Sequence, residues 1–390
     1  MDKCDTEIYL PRGARDILDC LEKNGYEAYM VGGCVRDMLI YKMPHNWDIC
    51  TSARLDEIVE VLRESPCKIV MIAGETVTVM TDGKTYNIAP YQSDGVYIPD
   101  LAEDLSRRDF TINAIAYSPK SGMVDLYNAR KDIADRRLRC IGCASKRFAE
   151  DGIRILRGMR LASIHGFLIE QDTLQTMLEN TRILRGVPVE QIGIEFRKIV
   201  TGKSFSMIAT FCAPILTYIV PEILPCIGFD QKNKWHVYDV WNHTVKALRS
   251  CDTDDEIIKL ALFFHDIGKP HVCVEDKKGC RHFKGHGAVS AEMTDAILKR
   301  MKFDEDTTRK VTELVKHHDD IWEVSKETVD RMLNKIGEQQ FRRLIAIRKA
   351  DVLAQNPEFA VERIEKVNQL EQMLDKIVSE KKSSVQEGRR

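Results

Sequence analysis

The chain has 390 residues, 44% of them hydrophobic and 30% charged, with a formal net charge of −2. This leaves room for two or three domains and excludes a disordered, fibrous or membrane-embedded chain. The small net charge also excludes a polyanion binder that works by bulk charge, so any nucleic-acid surface must be local.

The N-terminus carries early charges and no long apolar run. Neither a signal peptide nor a membrane span is expected, and the compartment reads as cytoplasmic. Residues 12–24 place Ile17, Leu18 and Leu21 at helical spacing. Short β-rich runs follow at 28–31, 47–50, 68–72, 76–81 and 85–91, with Asp82-Gly83 as a hairpin turn between the last two. The first run leads into Gly32-Gly33-Cys34-Val35-Arg36-Asp37, where glycines admit an anion close to the backbone N–H groups of a following helix. The second run alternates so that Asn46 and Asp48 share a face.

From about Ser106 the periodicity turns helical. The predicted architecture is an α/β head with a small mixed sheet over 1–140, then an all-α neck and body over 141–230. After a pause near Gly228–Lys234, a second all-α domain covers 231–378, and a polar, disordered tail covers 379–390. Ten Lys and Arg against four Asp and Glu between Arg130 and Ser163 give a local net charge of +6, a candidate phosphate-binding surface. The twelve cysteines show no disulfide rhythm. Cys140-Ile-Gly-Cys143 is a lone CxxC without a second pair, so a zinc ribbon is not expected and the thiols read as reduced.

Two constellations carry chemistry. The head places Gly32, Gly33, Arg36 and Asp37 beside Asn46-Trp47-Asp48, with Asn87 on a neighbouring strand. Farther on come Glu103-Asp104-Leu105-Ser106-Arg107-Arg108-Asp109-Phe110-Thr111-Ile112-Asn113 and Glu150-Asp151-Gly152-Ile153-Arg154-Ile155-Leu156-Arg157. Asp151 and Arg154, at i and i+3, project from one helical face. The C-terminal region sets Trp241-Asn242-His243, His265-Asp266-Ile267-Gly268-Lys269, Gly285-His286, His317-His318-Asp319 and Asp351 in order. Imidazoles and carboxylates of this kind suit Mn, Fe, Ni, Co or Mg.

The head resembles the tRNA nucleotidyltransferases (CCA-adding enzymes) and the bacterial poly(A) polymerases, and the C-terminal pattern resembles the HD phosphohydrolases. The combined resemblance covers about residues 25–355. It implies a polymerase-type head using Mg2+ to transfer CMP and AMP from CTP and ATP to the 3′ end of tRNA or another RNA. Asp48, Asn46 and Asn87 stand at the catalytic metal positions. Gly32, Gly33, Arg36, Asp37, Arg107, Asp109, Asn113, Asp151, Arg154 and Arg157 stand at the nucleotide-binding positions, where Asp151 and Arg154 read the base edge without a nucleic-acid template. In the HD region His243, His265, Asp266, Asp351, His286 and His317, or its neighbour His318, stand as ligands of a divalent transition metal.

This chain departs from the family at three places. Asn46 and Asn87 replace acids, and Gly74-Glu75-Thr76-Val77 replaces a His-Gly-Thr-Val pattern. An amide brings a carbonyl oxygen but no charge, so two-metal binding is weakened, with Glu75 as one source of compensation. Three readings follow. The chain is a CCA-adding enzyme that tolerates both asparagines; or the HD site does the chemistry, on a 2′,3′-cyclic phosphate, a 2′-phosphate or another nucleotide phosphoester; or the chain only binds RNA. Oligomeric state is open.

Overall fold

A computed structural model describes residues 8–387, except residues 66, 94, 321 and 322. It divides into two compact units. The first holds the described residues up to Arg154 together with Phe167–Asn180; the second holds Ile155–Gly166 and Thr181 onward.

The first unit is built on a seven-stranded sheet: β1 (Ala28–Val31), β2 (Trp47–Thr51), β3 (Lys68–Ala73), β4 (Thr76–Thr81), β5 (Lys84–Pro90), β6 (Ala116–Ser118) and β7 (Gly122–Val124). Its order is β3-β4-β5-β2-β1-β6-β7. β2 and β5 run parallel and the other neighbours antiparallel, so the sheet is mixed as expected. Asp82 and Gly83, both at positive φ (53° and 67°), close the β4–β5 hairpin. The helix Arg12–Lys23 buries Ala14, Ile17, Leu18 and Leu21 in a core shared with Ile49, Val77, Val79 and Ile88. Each such Leu, Ile or Val side chain contributes about 1.5–3 kcal/mol by leaving water.

Two readings of the sequence are corrected here. The sheet does not end near Ser106, because β6 and β7 extend it beside β1. Both strands are three residues long, too short to show a period of two. A further strand pair, Arg137–Leu138 with Leu168–Ile169, ties the stretch 167–180 back to the first unit. The stretch from 379, read as a disordered tail, is helical through Glu387 as the end of the helix Pro357–Glu387; residues 388–390 lie outside the described residues.

The second unit is helical. Its central helix, Glu256–Phe264, is buried at every position from Ile257 to Phe264. Phe263 stacks edge-on against Phe196 (5.2 Å), Phe264 (4.8 Å) and Trp241 (5.9 Å). Such aromatic pairs add about 0.5–1.5 kcal/mol beyond their burial. Because the helix is enclosed, the residues that follow it, His265 and Asp266, emerge inside the domain. No described helix is long and apolar enough to cross a membrane.

Candidate active sites

In the head, β1 is followed by Gly32, whose φ of +75° suits glycine; a Cβ there would sit 3.0 Å from the Arg108 guanidinium. The helix Gly33–Leu39 follows and carries Arg36 and Asp37. Arg36 is nearly buried. Its Nε and Nη2 donate to Asp37 Oδ1 (3.0 and 2.8 Å) and its Nη1 to Asn113 Oδ1 (2.6 Å). The Asn113 amide in turn donates to Asp109 Oδ1 (3.0 Å). Four sequence-predicted residues thus form one chain of charge-assisted hydrogen bonds, which fixes the glycine turn before any ligand arrives.

Two of the residues predicted at the catalytic positions face each other across the sheet. Asp48 on β2 is directly opposite Asn87 on β5, and Asn87 is opposite Thr78 on β4. The Asn87 amide donates to Asp48 Oδ1 (3.1 Å), and the Thr78 hydroxyl donates to Asn87 Oδ1 (3.1 Å). Thr78 carries no signal in the sequence; strand pairing alone brings it in. Asn46 lies one residue outside β2 and is exposed.

Asp151 caps its own helix, accepting from the Ile153 backbone N–H (3.2 Å). Arg154 donates to Glu150 Oε2 (3.0 Å), to the Arg147 carbonyl (3.1 Å) and to the Arg107 carbonyl (3.0 Å). Glu150 also pairs with Arg147 (2.9 Å). Arg157 follows on the same helix, in the second unit. Only part of the basic stretch is surface. Arg130, Lys131, Arg136, Arg137 and Lys146 are exposed, whereas Arg147 is buried and Arg139 is paired with Asp132 (2.9 Å).

The second site is closed and denser. His243, His265, Asp266, His286, His318 and Asp351 are all buried. Asp266 is the centre. Its Oδ2 faces His265 Nε2 (3.2 Å), His243 Nε2 (3.5 Å) and Lys269 Nζ (2.7 Å), and its Oδ1 faces His286 Nε2 (3.2 Å) and His318 Nε2 (3.5 Å). Asp351 Oδ1 lies 2.9 Å from His243 Nε2, and Gln355 donates to the same carboxylate. The sequence assignment of His317 is corrected: its Nδ1 meets Asp320 (2.8 Å), and His318 turns into the cluster instead. The Asp320 carboxylate, three residues on, holds the His317 ring, while His318 Nε2 reaches His286 Nε2 at 3.0 Å.

The histidine tautomers follow from the second partner of each ring. Nδ1 of His243, His265, His286 and His318 lies against the carbonyls of Ala354 (3.3 Å), Leu262 (2.7 Å), Phe283 (2.9 Å) and Val315 (2.7 Å). A carbonyl accepts only, so Nδ1 carries the proton and Nε2 presents a lone pair. His286 and His318 then face each other Nε2 to Nε2 at 3.0 Å, and His243 and His265 at 3.3 Å. Facing lone pairs repel unless a proton or a cation lies between them. Neither buried oxygen of Asp266 accepts a well-formed hydrogen bond. Burial opposes ionisation of Asp266, but His265 and Lys269 outweigh it and hold its carboxyl well below the ordinary range. Burial likewise opposes charge on His265, and Asp266 reverses this and raises its pKa. A buried anion ringed by imidazole lone pairs fits divalent metal, with Asp266 shared between the His243–His265 and His286–His318 pairs.

The site floors a cavity of about 1050 Å³ whose walls include Trp235, Lys269, Arg281, Arg348, Phe359 and Arg363. None of the flanking aromatic or cationic residues repeats at a spacing that would reveal it in the sequence.

Residues 28–139 match the poly A polymerase head domain and residues 235–356 match the HD domain. The CCA-adding enzyme of Oceanobacillus iheyensis is 34% identical over 284 residues, which is 70% of this chain and 68% of that one. The CCA-adding enzyme of Leuconostoc citreum is 38% identical over 223 residues, 54% of this chain and 55% of that one. Against the latter, the matched segment thus spans about half the relative's length. Among solved structures, the Bacillus stearothermophilus CCA-adding enzyme in complex with CTP has a TM-score of 0.69 at 24% identity, covering 92% of this chain and 81% of that one. The Thermotoga maritima CCA-adding enzyme complexed with tRNA has a TM-score of 0.61 at 19% identity, covering 95% and 84%. At these identities the two structures establish a shared fold. The relative from Oceanobacillus shows that the chain belongs to the family of CCA-adding enzymes, and the match over residues 235–356 that it carries an HD domain.

Proposed function

We propose that this chain transfers CMP and AMP from CTP and ATP to the 3′ end of tRNA in the cytoplasm, at a rate held down by the lost charge at Asn46 and Asn87. The observation that carries the binding half is the preset network Asp37–Arg36–Asn113–Asp109 around Gly32 and Gly33. It holds the turn rigid, so that backbone N–H groups receive a triphosphate without reorganisation. Asp151 accepts from, and Arg154 donates to, the base edge, while Glu150 fixes the guanidinium. Mg2+, when bound, would neutralise the triphosphate and favour ionisation of the attacking hydroxyl. Of the three predicted catalytic positions only Asp48 keeps a carboxylate, and its Oδ1 already accepts the Asn87 amide.

Incorporation of labelled CTP and ATP into tRNA lacking its 3′ end tests this, with the wild-type chain beside the double variant Asn46→Asp, Asn87→Glu. The wild type should turn over far below the enzyme median of about 10 per second, and the variant should gain. Transfer by neither protein would remove the transferase reading; a wild-type rate near the median would remove the idea of a slowed one.

The second site supports a second reading. We propose that the HD centre, loaded with Ni, Mn, Co or Fe, hydrolyses a phosphoester such as a 2′,3′-cyclic phosphate, a 2′-phosphate or another nucleotide phosphoester. Every ligand position there holds a competent residue. The metal would polarise the phosphate and supply a nucleophile at neutral pH. Lys269, buried against Asp266, Gln231 Oε1 (2.8 Å) and the Phe283 ring, places a cation at the cavity wall where phosphate oxygens would gather. Metal analysis together with hydrolysis of 2′,3′-cyclic AMP by wild type and Asp266→Asn decides it: equal metal and equal hydrolysis would end the proposal.

A further inference from the structure

Residues Val274–Glu275 and Arg281–His282 form a short antiparallel hairpin, paired Val274 with His282 and Glu275 with Arg281. Asp276 N–H donates to the Cys280 carbonyl (2.9 Å), which makes these two the next opposed pair. In such a ribbon alternate residues share a face, so Asp276, Cys280 and His282 fall on one side and Glu275 and Arg281 on the other. The second side is consumed by its own ion pairs: Glu275 Oε2 holds Arg281 Nε (3.0 Å) and Lys232 Nζ (3.4 Å). On the first side, one ligand atom from each of Asp276, Cys280 and His282 lies within 4.8 Å of the other two.

We infer that Asp276, Cys280 and His282 form a binding site for a borderline-to-soft divalent cation, zinc foremost, separate from the HD centre. A carboxylate, a thiolate and an imidazole are a zinc donor set, and ligands at the usual zinc distances of about 2.0–2.3 Å lie roughly 3.3–3.8 Å apart around a tetrahedral ion. The three atoms need only a small adjustment to reach that spacing.

The turn is built to hold the carboxylate still. Asp276 Oδ1 accepts the backbone N–H groups of Lys278 (2.8 Å) and Cys280 (3.1 Å), and Gly279 turns the chain at a φ of +77°. This leaves Asp276 Oδ2 aimed at His282 Nε2 (2.9 Å), and the proton shared there is the one a cation replaces. Cys280 Sγ comes from the strand side, half-buried. Lys277 and Lys278 in the turn oppose a bound dication, which the carboxylate and thiolate must outweigh. Three protein ligands leave one tetrahedral position for water or a ligand oxygen. Cys280 and His282 line the same cavity as Asp266, His286 and His318, so that position is available to whatever the cavity takes.

Cobalt separates this site from the HD centre, because no thiol is among the HD ligands. Co2+ is titrated into chelator-treated full-length protein while the near-ultraviolet thiolate-to-cobalt charge-transfer absorption is recorded. The wild type should give the band, zinc should erase it, and Asp266→Asn should keep it. Cys280→Ser should lose the band. His282→Ala should weaken Co2+ binding by more than the roughly 10- to 100-fold that an outer-shell change can cause. Circular dichroism of each variant checks that the fold is kept. Absence of the band in wild type, its survival in Cys280→Ser, or an unchanged Co2+ titration in His282→Ala would each overturn the three-ligand site.

Discussion

Asn87 donates its side-chain amide to Asp48 Oδ1 across two parallel strands, at 3.1 Å. On the proposed reading, in which Mg2+ binds at Asp48, the bond places a donor where the cation would need an acceptor; without metal the amide satisfies the carboxylate. Restoring the acid should make the head depend on metal for stability. With Asn87→Glu, two carboxylates face each other at a distance where like charges cost about 1 kcal/mol or more. The melting temperature should fall in chelator and recover with Mg2+, whereas the wild type should respond less. Thermal melts with and without Mg2+ read this directly.

His317 and His318 are adjacent, yet only His318 faces Asp266. His318→Ala should therefore lower the metal content of the purified protein, and His317→Ala should not. Elemental analysis of both variants tests the assignment, and loss of metal in His317→Ala alone would reverse it.

Lys269 is almost fully buried, and its ammonium lies 2.7 Å from Asp266 Oδ2. Removing one member of such a pair leaves an uncompensated buried charge, at a cost of about 3–5 kcal/mol. Asp266→Ala should unfold at clearly lower denaturant than wild type when both are metal-free. The double variant Asp266→Ala, Lys269→Met should regain part of that stability. Urea unfolding in chelator measures both.

The helix Glu305–His317, which leads into His318, starts at Asp304, whose carboxylate accepts the Thr307 backbone N–H (2.8 Å). That hydrogen bond lowers the Asp304 pKa from 3.8 to about 2, with Arg197 assisting. The folded-state value is depressed, so the contribution is present above the unfolded pKa and is lost as pH falls from near 3.8 through about 2. Asp304→Ala should cost about 1 kcal/mol at neutral pH, the usual worth of an N-cap, and the difference from wild type should shrink across that acidic window. Urea unfolding of both proteins at neutral and acidic pH measures it.

Arg136, Arg137 and Lys146 are exposed residues of the basic stretch in the first unit. If they neutralise tRNA phosphates, their replacement by alanine should weaken binding and flatten the dependence of log affinity on log salt. The slope should fall by about 0.7–0.9 for each phosphate no longer neutralised. Filter binding across a salt series measures it, and an unchanged slope would place the RNA surface elsewhere.

The sequence by itself determined the local elements and the inventory of chemistry. Alternation marked the strands that carry Asp48 and Asn87, Asp82-Gly83 set the hairpin at positive φ, and the order of His243, His265, Asp266 and Asp351 announced a buried histidine–aspartate cluster. These signals are legible because each depends on residues close in the chain. Tertiary structure alone decided which distant groups meet. The parallel pairing of β2 with β5 turns Asn87 from a missing ligand into a partner of Asp48 and recruits Thr78. The Ala354 carbonyl fixes the tautomer of His243 from 111 positions along the chain, and packing turns His318 rather than His317 toward Asp266. The short strands β6 and β7 exist because β1 offers them an edge, since three residues carry too little pattern to specify a strand on their own.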